Sequence, residues 1–269
     1  MIEKILFPVD FSPASTAMAA YVKRAAEMFG SRITLTHVCD LTSNNGFELI
    51  GRTLREVADE HQAIAEERLK SFLESDFPTD ACSRILRFGE AATQIADLAR
   101  NRGFDLIIMP THAGRFRRML LGSTTAKILN DADCPVMTTQ HAGAVVPRPL
   151  GHRVWVCAIG LSQDSERVLR LASRAAAAAD ARLSVIHATR EEPVKNASRR
   201  MGELLKTVGC EAEVRIFIGP VKEALLDEVQ RASADALIVG RPPRVGIFGR
   251  LRDLTYSLVR DSPIPVLSV

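Results

Sequence analysis

Two tandem α/β units, each a doubly wound parallel sheet, are what this sequence predicts, and three observations carry the prediction. Short apolar runs alternate with helical stretches along the whole chain, the pattern of a parallel sheet covered by helices on both faces. The segment Asp105 to Thr139 returns as Asp235 to Val269, each time an apolar strand, a glycine-bearing loop and a second short strand after a Pro. The length of 269 residues suits roughly two domains of about 150 residues or fewer, each able to bury a core.

Ile5-Leu6-Phe7-Pro8-Val9 is a strand ending at Asp10; Ser12 can then cap, and Pro13 start, a helix. Met18, Tyr21, Val22, Ala25 and Phe29 recur on one face of it and Gly30 stops it. Ile33 to Val38 is the second strand, with His37 near its end. Thr53 to Phe72 reads as a charged helix whose apolar side is Val57, Ile64, Leu69 and Phe72. Ile85-Leu86-Arg87-Phe88 is a strand, Gly89 a turn, and Ala91 to Arg102 a helix. Leu106-Ile107-Ile108-Met109 feeds the loop Pro110-Thr111-His112-Ala113-Gly114, and Gly122-Ser123-Thr124 opens a short helix. A strand leading through such a loop to a helix N-terminus is suited to phosphate, because backbone N–H groups converge there and the helix dipole favours an anion.

His141 to Gly151, with its Pro and Gly residues, reads as a linker, so the expected domains are 1–142 and 150–269. Val154 to Ile159 restarts the pattern as a strand, with Ser162 or Asp164 as cap and Val168 to Ala179 as helix. Leu183 to His187 matches Ile33 to His37 at a shift of 150 (187 − 37), whereas Gly89 matches Gly219 at 130 (219 − 89). The roughly 20 residues lost lie between the second and third strands, where a surface element can shorten without touching the sheet.

Apolar residues make up 46% and charged residues 25%, and 35 basic against 32 acidic side chains leave +3. That surplus argues for neither nucleic acid nor membrane. The N-terminus enters a strand at once, without a signal-peptide layout, and no run of about 18 apolar residues occurs; the expected compartment is the cytoplasm. Cys39, Cys82, Cys134, Cys157 and Cys210 are scattered without a Cys-x-x-Cys pair, and read as reduced thiols packed as small hydrophobes.

Pro8-Val9-Asp10, His37-Val38, Met109-x-Thr111-His112, Leu120-Leu121-Gly122-Ser123 and Cys134-Pro135-Val136, in that order, resemble the universal stress protein family, and the match over both halves resembles a tandem member. The resemblance implies a Rossmann-like five-stranded sheet of order 3-2-1-4-5 and ATP at its C-terminal edge, which is also where a topological switch point places a ligand. It implies that Pro8, Val9 and Asp10 meet the adenine side, Val38 lines the base pocket, and Met109, Thr111, His112 and Gly114 follow ribose and phosphates. Gly122, Ser123 and Thr124 then supply phosphate-binding backbone and hydroxyl groups, and whether Mg accompanies the ATP is left open. On spacing alone, Ser123 reads equally as a plain N-cap and Asp10 as a helix-start carboxylate.

The family pattern is Gly, two residues, Gly, nine residues, then Gly and Ser or Thr. Pro110 stands at the first glycine and Ala113 at the second, and the loop to Gly122 is one residue short, so that Gly114 substitutes only after a one-residue shift. Proline removes a donor; Arg115, Arg117 and Arg118 offer charge instead. In the second half Asp10 becomes Gly160 and Gly122-Ser123 becomes Arg252-Asp253, which reads as a retained fold without the usual ATP chemistry.

No Gly-x-x-x-x-Gly-Lys-Ser/Thr loop, Gly-x-Ser-x-Gly elbow or His-Glu-x-x-His helix occurs. His37, His112 and His187 end strands, where packing and loop hydrogen bonding are their usual work. The leading expectation is a stress-response regulator that binds an adenine nucleotide in its first half. The alternative is an interaction scaffold without nucleotide, and slow ATP hydrolysis comes last for want of a base or a metal-binding carboxylate pair. Val136 to Thr139 and Val266 to Val269 suit edge pairing, either as an intrachain pseudo-dimer or as a homodimer through edge strands.

Overall fold

The computed structural model of the chain describes residues 2–39, 54–111, 121–139, 154–189, 192–241 and 253–269, with side chains from Asp59 onward in the second helix and from Leu254 onward in the last. His112, Ala113 and Gly114, the loop arginines 115, 117 and 118, the linker, and Arg252 lie outside the described residues.

In the first half, β1 (Lys4–Pro8), α1 (Pro13–Phe29), β2 (Arg32–Cys39), α2 (Leu54–Ser71), β3 (Ser83–Phe88), α3 (Ala91–Arg102), β4 (Leu106–Pro110), α4 (Ser123–Asp131) and β5 (Val136–Thr139) follow one another. The second half repeats them as β6 (Val154–Ala158), α5 (Ser165–Ala178), β7 (Arg182–Thr189), α6 (Val194–Val208), β8 (Glu213–Ile218), α7 (Val221–Arg231), β9 (Ala236–Val239), α8 (Asp253–Asp261) and β10 (Val266–Ser268). The strands among the described residues form one sheet of order β3-β2-β1-β4-β5-β10-β9-β6-β7-β8. Each half has the order 3-2-1-4-5, and the sheet is parallel except where β5 meets β10 antiparallel, with Met137 opposite Leu267. The lost residues come mainly from the links around the second helix: 40–53 corresponds to 190–193, and 72–82 to 209–212.

Helix α1 begins and ends as its sequence dictates. Ser12 accepts from the Ser15 amide at 3.2 Å, Pro13 occupies the first turn, and Gly30 closes the helix at φ 66, a left-handed conformation that favours glycine. Phe11 holds φ 61 without being glycine, and its counterpart Leu161 holds φ 51. The Phe11 ring is pinned between His37 (centroids 4.2 Å apart), Phe72 (5.2 Å) and the Arg68 guanidinium (4.5 Å), packing that offsets a strained backbone. In α2, Leu69 is buried as expected but Ile64 is 59% exposed. Ala65, one position on, takes the inward place four residues before Leu69.

One apolar layer lies under α1, α2, α5 and α6, the other under α3, α4, α7 and α8, and both run across the β5–β10 seam. All five cysteines are free thiols; Cys82, Cys157 and Cys210 are buried, and burial pushes the Cys157 thiol up. Among the described residues no helix is long and apolar enough to cross a membrane.

The helices on the second face are tied by two carboxylates. Partial burial opposes ionisation of Glu90, but hydrogen bonds from the Thr93 amide and hydroxyl and from Lys127 on α4 outweigh it and hold the carboxyl at about 2. The Arg260 guanidinium first, then Lys222 on α7, hold Asp261 at about 2. Both values lie below those of the unfolded chain, so their stabilisation is present above about pH 4.5 and is lost as pH falls toward about 2. Both side chains are partly exposed, so screening leaves about 1 kcal/mol between them. Urea midpoints at about pH 6 and about pH 3 should differ in the parent and differ less in Glu90→Gln; equal acid sensitivity in that variant would remove Glu90 from the account.

Candidate functional site

The chain order reverses direction between β1 and β4, so a crevice opens at the carboxyl ends of those two strands. Pro8 ends β1 and pairs with Thr36. Val9 is buried; its amide donates to Thr36 O at 2.8 Å, and its carbonyl accepts from His37 Nδ1 at 2.8 Å. A carbonyl can only accept, so Nδ1 carries the proton. His187 donates identically to Ile159 O at 2.8 Å in the second half. Both strand-end histidines therefore brace the backbone after the first strand of their half.

Asp10 is exposed at the crevice, with its carboxylate already oriented by α1. Oδ1 accepts from the Ser12 amide at 3.0 Å and the Ser15 hydroxyl at 2.6 Å. The helix-start role read from the sequence is thus realised, while the carboxylate still faces solvent beside the switch point. Val38 is half-buried and packs against the second apolar layer, which holds Met109 and Leu121. These three supply an apolar wall below the crevice.

Thr111 turns inward. Its amide and hydroxyl both donate to Thr139 O, at 3.1 and 3.2 Å, and its carbonyl accepts from Gly122 N at 2.9 Å. That last bond ties the two ends of the loop 112–120 and sets the start of α4. Pro110 is buried in β4, and its carbonyl accepts from the Thr125 hydroxyl at 3.1 Å. Thr125, with no signal in the sequence beyond its place after Ser123-Thr124, is thus what clamps α4 to β4.

The start of α4 carries free backbone donors. Gly122 is its N-cap in an extended conformation, with no side-chain cap. The first-turn amides have no intrahelical acceptor, and Ser123 is exposed and Thr124 half-buried. The amides and hydroxyls of Ser123 and Thr124 and the positive end of the helix dipole are therefore gathered at the start of α4, an arrangement able to bind an oxyanion. The structure brings together Pro8, Val9 and Asp10 at one strand end, Val38 and Met109 on one apolar layer, and Gly122, Ser123 and Thr124 at the helix start. The predicted His112 and Gly114 lie outside the described residues.

The second half reaches into this site. Tyr256 of α8 accepts through its hydroxyl from the Leu121 amide at 3.2 Å, fixing the residue before the cap. In return Arg241, after β9, sends its buried guanidinium to the C-terminal end of α4. Nη1 donates to Leu129 O and Ala132 O, both at 2.9 Å, and Nη2 to Cys134 O at 2.7 Å. In the sequence Arg241 reads as one more loop arginine; only its place after an apolar strand hinted at burial.

At the equivalent edge of the second half lies a cavity of about 420 Å³. Gly160, Ala188 and Val239, the counterparts of Asp10, Val38 and Met109, line it together with Ser162, Asp164 and Thr255. A methyl group added at Gly160 would meet nothing within 4 Å, so that space is open, whereas one at Gly240 would come within 3.1 Å of Val168. The second half keeps the hollow but not the Asp10 carboxylate.

Comparison with known proteins gives a consistent result. The model of the universal stress protein family matches residues 1–140. Universal stress protein MJ0531 of Methanocaldococcus jannaschii is 27% identical over 147 residues, 52% of this chain and 83% of that protein. Universal stress protein A homolog 2 of Coxiella burnetii is 28% identical over 145 residues, 53% of this chain and 97% of that protein. The crystal structure of a universal stress protein from Archaeoglobus fulgidus superposes with a TM-score of 0.80 at 23% identity, covering 100% of this chain and 98% of that one, a likeness of fold.

Proposed function

From the premise that this chain belongs to the universal stress protein family, we propose that residues 1–142 form a domain that binds ATP or a related adenine nucleotide. Residues 150–269 form a second domain whose site is degenerate, and the whole acts as a cytoplasmic stress-response regulator through conformation or partners rather than by catalysis. The observation that carries this reading is the uncapped start of α4 at the switch point, where Ser123 and Thr124 present amides and hydroxyls. Phosphate oxygens satisfy those donors. The base lies against Val38 and Met109, with Asp10 at its polar edge. His112 and Gly114 are assigned to the ribose and phosphates by the family resemblance.

In the same reading the two domains are an intrachain pseudo-dimer. The pairs Thr138 with Val266 and Val136 with Ser268 exchange under the 130-residue shift, centred on Met137 and Leu267, as an isologous contact requires. This seam occupies both terminal strands, so a homodimer would use other surface.

Mass spectrometry of protein purified without added ligand, followed by calorimetric titration with ATP, tests the nucleotide. Asp10→Ala should weaken ATP by about 1 to 3 kcal/mol and cost about 1 kcal/mol of stability through α1. Asp10→Asn keeps an acceptor for Ser12 and Ser15 and separates the two effects. Undiminished affinity in both variants would reject the ligand role. The scaffold reading is favoured by two observations, the donor that Pro110 lacks and the engagement of Asp10 Oδ1 by α1; a parent with no adenine nucleotide bound or bindable would decide for it.

A further inference from the structure

A cleft of about 740 Å³ separates α5 from the opposite, amino-terminal edge of the first half, far from the nucleotide crevice. Ile2, Phe29, Phe104 and Leu171 give it apolar walls. Arg167, Arg170 and Arg174 of α5 line it on one side, and Asp105 and Glu166 are its acidic members. Its size and its mostly apolar walls with few polar groups are those of a small-molecule site.

The charges in it are not equally committed. Glu166 accepts from Arg170 at 2.9 and 2.7 Å, and Asp105 Oδ2 accepts from the Glu3 and Lys4 amides at 2.9 and 3.0 Å. Burial pushes the Cys134 thiol up to about 11, so it adds no negative charge. Arg167 and Arg174 are exposed and have no partner among the described residues. Seven residues apart, they stand two turns from each other on one helix face with Leu171 between them. Three guanidiniums against two carboxylates leave one positive charge over an apolar surface.

The duplication supplies an internal contrast. At the shift of 150, α1 carries Ala17, Tyr21 and Arg24 where α5 carries Arg167, Leu171 and Arg174. Arg24 is moreover paired with Glu27 at 3.2 Å. The pair of uncommitted arginines therefore belongs to one copy and is not a requirement of the fold.

We propose that this cleft binds an amphipathic carboxylate, its chain laid over Ile2, Phe29, Phe104 and Leu171 and its head group held by Arg167 and Arg174. A planar carboxylate accepts guanidinium hydrogen bonds in the fork geometry, and a monoanion matches the surplus charge. The inference does not depend on nucleotide binding, since the two sites lie at opposite sheet edges.

Decanoate, kept below its micelle concentration, is the probe, titrated into the full chain and followed by calorimetry and by methyl NMR. Saturable binding that shifts the Ile2, Leu171 and Ala178 methyls is expected, weakened about tenfold or more in Arg167→Gln/Arg174→Gln. Both side chains are exposed, so the double variant should unfold with the parent. Ala178→Trp should block binding by filling the cleft, and decyltrimethylammonium should not compete. Absence of saturable decanoate binding, equal affinity in the double variant, or equal binding of the cationic amphiphile would overturn the proposal.

Discussion

Replacing Arg241 with alanine is expected to destabilise the chain by about 3 kcal/mol. Arg241 is 4% exposed, and its guanidinium donates to the carbonyls of Leu129, Ala132 and Cys134. These belong to the last turn of α4 and the segment that follows, where carbonyls lack intrahelical donors and the dipole is negative. Alanine would strand those acceptors in the protein interior and open a void across the seam. Arg241→Lys, with its charge kept but the fork lost, should fall between. Because α4 is held at one end by Arg241 and begins at the other with Gly122, its first turn should also loosen, weakening the affinity for any anion bound there. Urea denaturation of the three proteins checks the ranking; a loss under about 0.5 kcal/mol in Arg241→Ala would contradict it.

Placing a carboxylate at the start of α4 should have the largest effect on the ligand. Ser123→Asp reproduces what the second half has at the start of α8, where Asp253 is the first helical residue. An acidic residue there interacts well with the helix dipole, so stability should hold or rise by about 0.5 kcal/mol. Phosphate would meet a like charge, and ATP affinity should fall about a hundredfold. Stability and binding thus move in opposite directions, which separates repulsion at the site from damage to the fold. The same reasoning predicts at most one ATP per chain. Calorimetry on parent and variant tests both statements: an unchanged affinity would remove Ser123 from the phosphate site, and a second equivalent site in the parent would assign ATP to the cavity around Gly160 as well.

The repeat and the boundaries of most elements were legible in the residues themselves, because they are set by local rules, whereas the strand order of each half came with the family resemblance. Ser12, Pro13 and Gly30 start and stop α1 through backbone hydrogen bonding and φ alone, and strands buried on both faces must be continuously apolar. Where such rules are weak the reading slipped at one position: in α2, with apolar residues sparse, Leu69 is inward as expected but Ala65, not Ile64, takes the buried place before it. Of the candidate site, only the placement was legible, Asp10 at a strand end and Gly122 and Ser123 at a helix start.

What a single sequence cannot express is which distant backbone a side chain will meet. Arg241 and the α4 carbonyls are 112 and 109 residues apart for Leu129 and Ala132, and carbonyl acceptors have no residue signature. The same holds for Tyr256 on the Leu121 amide, for Thr111 and Thr125 spent on the sheet, and for the cleft under α5, whose walls come from opposite ends of the chain. Composition and spacing determined the two α/β units and the order of their elements. Tertiary packing alone decided that the two last strands pair with each other within the chain, that an arginine of the second half grips helix α4 of the first, and which charges remain uncommitted, because those outcomes depend on distances that only the folded chain defines.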